Sequence, residues 1–188
     1  METSLTYWFI FIGNALLLER DGDNYRVPCC SAPPLPLKDW TPQQELPPLD
    51  GISCLACRVD LPPADSSHWV SMGLRETWNV LPFQFYNMAG KAYELIYWDS
   101  NTKYCGFCGA PMKRDTPISK KCTHCGKEVW PQVSPAIIVR IRKGDDILLV
   151  HARNFRRSEM YGLVAGFVET GETLEDCVAL EVKMTEEV

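Results

Sequence analysis

Cys105 and Cys108, then Cys122 and Cys125, form two Cys-x2-Cys pairs separated by thirteen residues. Each pair sits in a glycine-flanked knuckle, CGFCG and CTHCG, where the backbone can turn so that amides face the thiolates. Four soft ligands paired in this way suit a closed tetrahedral Zn²⁺ site, and with no open coordination position such a site is structural. His124 lies inside the second knuckle and could compete for the ion, but four thiolates already saturate it. Four reduced cysteines meeting by chance and an iron–sulfur or redox centre are the alternatives; no further electron-transfer feature accompanies the latter. Cys29 and Cys30 are neighbours that cannot easily share one ion, and Cys54 with Cys57 is a lone pair without a partner. They are expected to be buried or incidental thiols.

A second chemistry is written from Gly166 to Val188. Gly171 and Glu172 belong to a tight loop, Thr173 can cap a helix with Asp176 as its reciprocal acid, and helix is expected to begin near Leu174. Leu174, Cys177, Val178, Leu180 and Val182 follow a helical period, while Glu172, Glu175 and Glu181 lie off that stripe. Carboxylates off the packing stripe could hold a hard cation such as Mg²⁺. A solvated acidic helix without metal is the other reading.

The elements that position these residues can be followed along the chain. Tyr7 to Ile12 and Ala15 to Glu19 flank Gly13-Asn14 as a hairpin, a turn follows at Asp21 to Asn24, and Tyr25 to Val27 can add a short strand. Residues 28 to 50 carry seven of the fourteen prolines and read as an extended surface connection. His68 and Trp69 lie in or beside a short strand, His68 as a surface or hydrogen-bonded side chain. Ser71 to Asn79 and Ala89 to Trp98 read as helical, the second with a core stripe of Ala89, Ala92, Tyr93, Ile96 and Tyr97. Beyond the cysteines, Ala136 to Arg142 and Ile147 to Ala152 read as strands around a turn at Lys143 to Asp146. Arg153, Arg156 and Arg157 make a short basic loop that could neutralise substrate charge, and Tyr161 to Val168 is a strand entering the acidic helix. The fold class is α+β.

The run from Gly166 resembles the signature of the Nudix hydrolases: a glycine, five residues, a glutamate, seven residues, then Arg-Glu-apolar-x-Glu-Glu-x-Gly. Gly166, Glu172, Glu181 and Val182 match it in register; Leu180, Met184, Thr185 and Glu187 do not. Glu186 and Glu187, five and six residues beyond Glu181, fall on other sides of the helix and do not replace the missing pair. With the four-cysteine ribbon and WPQVSPAIIVRI ahead of it, the chain is similar to the NADH pyrophosphatase branch of that superfamily over residues 89 to 182.

The resemblance implies an N-terminal Nudix-like mixed domain over 1–99, a zinc ribbon over 100–130, and over 131–188 the first part of a Nudix α/β/α sandwich. It implies hydrolysis of the diphosphate of NADH or NAD⁺ to nicotinamide mononucleotide and AMP, removal of NAD caps from RNA, a homodimer, structural Zn²⁺, and catalytic Mg²⁺ or Mn²⁺. Carried over by position, Cys105, Cys108, Cys122 and Cys125 are zinc ligands. Glu181 is a catalytic, metal-holding glutamate, the Ala165 carbonyl a further metal ligand, Trp130 a substrate contact, and Phe167 the ring that stacks on nicotinamide. The family's later strands lie beyond the last residue, so the chain is expected to be a piece of the enzyme and weak or inactive alone. The alternative is a silent, zinc-stabilised dinucleotide-binding or dimerisation module.

Composition bounds these readings. With 46% hydrophobic and 23% charged residues the chain is ordinary and globular, and a net charge of −5 argues against a general nucleic-acid binder and disfavours reading the ribbon as one. Apolar runs are too short to span a bilayer and no secretory signal is evident, so a cytoplasmic protein with no membrane partner is expected.

Overall fold

A computed structural model of the protein describes residues 4–60, 67–151 and 159–186. The chain separates into two compact units, Met1–Pro131 and Gln132–Val188.

In the first unit the hairpin strands are β1 (Thr6–Ile12) and β2 (Ala15–Asp21), turning at Gly13 with φ +59°. Their apolar residues are consecutive rather than alternating because both faces of the sheet are covered: Phe9, Ile10, Phe11, Leu16, Leu17 and Leu18 are all fully buried. After β3 (Asn24–Arg26) and β4 (Cys29–Cys30) come β5 (Gln43–Leu49), β6 (Ile52–Val59) and β7 (Trp69–Gly73). β6 lies parallel to β1 from Thr6↔Ser53 to Ile12↔Val59, and β5 pairs antiparallel to β6 at the sheet edge.

The proline-rich stretch is therefore not only a connection. Two strands form within residues 28–50, and the edge strand β5 tolerates Pro47 and Pro48 where the register shifts between Leu46 and Leu49. Ser71–Gly73 is strand rather than helix, because β2 claims it through pairs such as Leu17↔Ser71. Only Glu76–Asn79 forms a 3₁₀ turn.

The long helix α1 (Phe83–Asn101) covers one sheet face with Ala89, Ala92, Leu95 and Trp98. Tyr97, expected in that stripe, is 53% exposed; Leu95 and Trp98 take the inward positions. On the opposite face Trp8, Ile10, Leu17 and Cys57 pack with Leu35. Then β8 (Met112–Thr116), β9 (Ser119–Cys122) and β10 (Glu128–Val129) form a small antiparallel ribbon in the order β10-β9-β8.

In the second unit β11 (Ala136–Val139) precedes a short hairpin of β12 (Arg142–Lys143) and β13 (Asp146–Ile147) around Gly144, at φ +62°. The long return strand expected over Ile147 to Ala152 is not formed over its described residues. β11 instead pairs with β14 (Val164–Phe167), which offers four consecutive partners from Ala136↔Phe167 to Val139↔Val164. Helix α2 (Leu174–Glu186) follows and packs on β14. Arg153, Arg156 and Arg157 lie outside the described residues.

Candidate functional site

Two alike turns build the sulfur cluster. Gly109 and Gly126 both adopt φ +74° and donate their amides to the carbonyls of Cys105 (2.9 Å) and Cys122 (3.3 Å), closing each knuckle. The four sulfur atoms lie within 4.8 Å of one another, with Cys105 and Cys122 buried and Cys108 and Cys125 at the surface. The amides of Cys125 and His124 donate to the Cys122 sulfur at 3.4 Å each and hold that thiol down to about 6. The amides of Cys108 and Phe107 likewise lower Cys105. Such amide donation favours thiolate, which is the metal-binding form. The set fits a structural Zn²⁺ site; His124 is exposed and outside the group.

Residue types alone did not reveal what fastens this ribbon to the sheet domain. Lys120, on β9, is only 6% exposed. Its ammonium donates to the carbonyls of Asp99 (2.6 Å) and Thr102 (2.9 Å), pairs with the Asp99 carboxylate (3.1 Å), and lies over the Trp98 ring. Arg114 donates to the same carboxylate at 2.5 Å. Burial would raise Asp99, but these two cations outweigh it and hold its carboxyl below its ordinary value. Gln44 adds a bond to the Pro117 carbonyl at 2.8 Å. The detectable signal was an acid at the end of one helix facing alternate cations on the next two strands.

The remaining cysteines behave as thiols, not ligands. Cys54 and Cys57 sit three apart on β6, so they point to opposite faces and enter different core clusters. Burial pushes Cys57 up to about 11. His68 is hydrogen-bonded, 3.1 Å from Glu19.

In the second unit, the start of α2 closes reciprocally. The Asp176 amide donates to the Thr173 hydroxyl at 3.1 Å, and the Thr173 amide donates to the Asp176 carboxylate at 3.3 Å. Ahead of it, the Glu169 amide donates to the Glu172 carboxylate at 2.9 Å. Cys177 is the buried side chain of this helix and reaches the Phe167 carbonyl at 3.5 Å. Its thiol is raised by burial and by the nearby carboxylates of Glu172, Glu181 and Glu169. Leu174 and Leu180, expected to pack, are 55% and 45% exposed within the described residues, since a two-stranded sheet offers little area to cover.

Glu181 is half-buried, and its carboxylate lies directly against Gly166; a Cβ at that position would overlap it. Among the described residues that carboxylate has no hydrogen-bond or ion-pair partner. Far apart in sequence, a glycine on β14 and an acid on α2 are thus one structural feature. Ala165 and Phe167 alternate with Gly166 along β14, and Phe167 is 71% exposed. Trp130, 52% exposed, belongs to the other unit. Met184 is exposed, and the Thr185 hydroxyl donates back to the Glu181 carbonyl at 2.8 Å.

Comparison with known proteins bears on this arrangement. The family described as "NADH pyrophosphatase-like rudimentary NUDIX domain" matches residues 5–98. The chain is 34% identical over 157 residues to the NAD-capped RNA hydrolase NudC of Stutzerimonas stutzeri, a match covering 78% of this chain and 55% of that one. It is 43% identical over 98 residues to the protein of the same name from Pectobacterium carotovorum subsp. carotovorum, covering 52% and 37%. For the one from Salmonella newport the figures are 43% over 99 residues, covering 52% and 38%. The chain thus spans about half, or less, of the length of these curated relatives.

Proposed function

The chain belongs to the NADH pyrophosphatase branch of the Nudix superfamily, and from that premise we propose that it is part of an enzyme that hydrolyses the diphosphate of NADH or NAD⁺, as the free dinucleotide or as an RNA cap. The observation that carries this reading is the Glu181 carboxylate held against Gly166, without a hydrogen-bond or ion-pair partner among the described residues, on a helix whose start is closed by Thr173 and Asp176. The donor chemistry fits a hard cation: Glu181 and the Ala165 carbonyl would hold Mg²⁺ or Mn²⁺, with water and substrate phosphates completing the shell.

A bound divalent cation supplies charge neutralisation at the diphosphate and acidity to a water ligand. In the reaction the water oxygen bonds to one phosphorus, the bridging phosphorus–oxygen bond breaks, and the bridging oxygen leaves on the other mononucleotide. Nicotinamide mononucleotide and AMP result, each ending in a phosphate. Glu181 orients the water and accepts its proton. Phe167, exposed on the strand that carries Gly166, offers a flat face for stacking on the nicotinamide. The four-cysteine site acts as scaffold. Zinc thiolates and unpaired thiols suit the reducing cytoplasm, and a homodimer belongs to the same proposal.

A second reading has its own support. Met184 and Thr185 offer no carboxylate where the signature has its Glu-Glu pair, and this favours a silent module that retains the dinucleotide. Incubation with NADH and Mn²⁺ separates the two. Release of AMP and reduced mononucleotide, abolished by Glu181→Gln, supports the enzyme; NADH binding without turnover supports the silent module; neither binding nor turnover overturns both.

A further inference from the structure

Between residues 100 and 130 the chain carries six cations, Lys103, Lys113, Arg114, Lys120, Lys121 and Lys127, and only two acids, Asp115 and Glu128, although the whole chain is net −5. Arg114 and Lys120 are consumed in holding Asp99. The other four lysines are exposed and make no ion pair with any described residue. Lys113 and Lys121 stand directly opposite each other across β8 and β9, with Glu128 the one acid in the same cross-strand row, opposite Lys121 on β10.

Aromatic rings interleave with these charges. Tyr104 is 68% exposed and Phe107 77% exposed, both on the first knuckle. The cluster of sulfurs brings that knuckle beside the second, where His124 and Lys127 are also exposed. These rings are exposed on the same ribbon that carries the four exposed lysines. Flexible cations for phosphates beside flat faces for bases are what a single strand of nucleic acid requires; a duplex hides its base faces.

We propose that the zinc ribbon is a docking surface for single-stranded RNA. The identity of the strand rests on the reading of a capped-RNA substrate above. The ribbon's local excess of positive charge, not the net charge of the chain, governs this contact.

The test is fluorescence anisotropy on the whole zinc-loaded chain with a labelled single-stranded RNA of about twelve nucleotides, a length spanning one small binding surface, bearing a 5′-hydroxyl and no cap. Binding that weakens as salt rises is expected. The double variant Lys103→Glu, Lys127→Glu and the single variant Phe107→Ala are each expected to weaken it about tenfold, and the same RNA annealed to its complement should bind less well. Unchanged zinc content shows that the variants keep the ribbon. Equal affinity of the variants and the parent chain, no binding at low salt, or a charge-reversed variant that alters self-association in light scattering but not RNA affinity would each overturn the proposal. Because the probe has no cap, RNA binding without NADH hydrolysis removes the enzymatic reading alone, and hydrolysis without RNA binding removes this one alone.

Discussion

Gly166 and Glu181 show how a missing side chain on a strand can make room for a carboxylate from a helix. Only a residue without Cβ leaves room for the Glu181 carboxylate against β14, so Gly166→Ala must displace it. The expected result is a loss of Mn²⁺ affinity on the order of tenfold or more, comparable to losing an orienting group around a metal, with zinc content unchanged; titration followed by electron paramagnetic resonance checks it. Asp99 gives the pH dependence. Its folded carboxyl is held below the ordinary value of about 4, so its contribution is present at neutral pH and disappears as acid takes the pH down through the depressed folded value. Asp99→Ala leaves the Lys120 ammonium buried without its counter-charge and is expected to cost about 3 kcal/mol in urea unfolding at neutral pH while weakening the acid sensitivity.

At the scale of elements, what could be read from sequence was what local chemistry decides. The Gly13-Asn14 turn, the Thr173 cap with Asp176, and the two glycine-closed knuckles each need only a few adjacent residues, and all three stand as expected. What escaped reading depended on a distant partner. β5 became a strand because β6 offered an edge, Ser71–Gly73 because β2 did, and β11 chose β14 over its sequence neighbour. The candidate site divides in the same way: the four-cysteine cluster was legible from spacing, whereas the contact of Gly166 with Glu181 and the ion cluster at Asp99 needed the packed helices. Thr173→Ala removes the two bonds the Thr173 hydroxyl makes with Asp176, leaving the Thr173 amide's bond to that carboxylate, and is expected to cost about 1 kcal/mol, seen as reduced helicity on thermal melting of the chain.

For the molecule as a whole, about one zinc per chain is expected from elemental analysis, following from one closed set of four thiolates among the described residues. Chelation should lower the melting temperature of the first unit, because ion binding is coupled to folding of the ribbon. That coupling reaches farther than the ribbon. Asp99 and Thr102 sit at the trailing end of α1, where carbonyl oxygens have run out of amides, and the cation that answers them is borne by a strand of the metal module. Stripping the ion should therefore make the terminal turn of α1 fray, so that deuterium enters amides near Trp98 sooner while those of Phe9 and Leu17 stay protected. The helix has, in effect, lent its final stop to a neighbour built around four converging thiols.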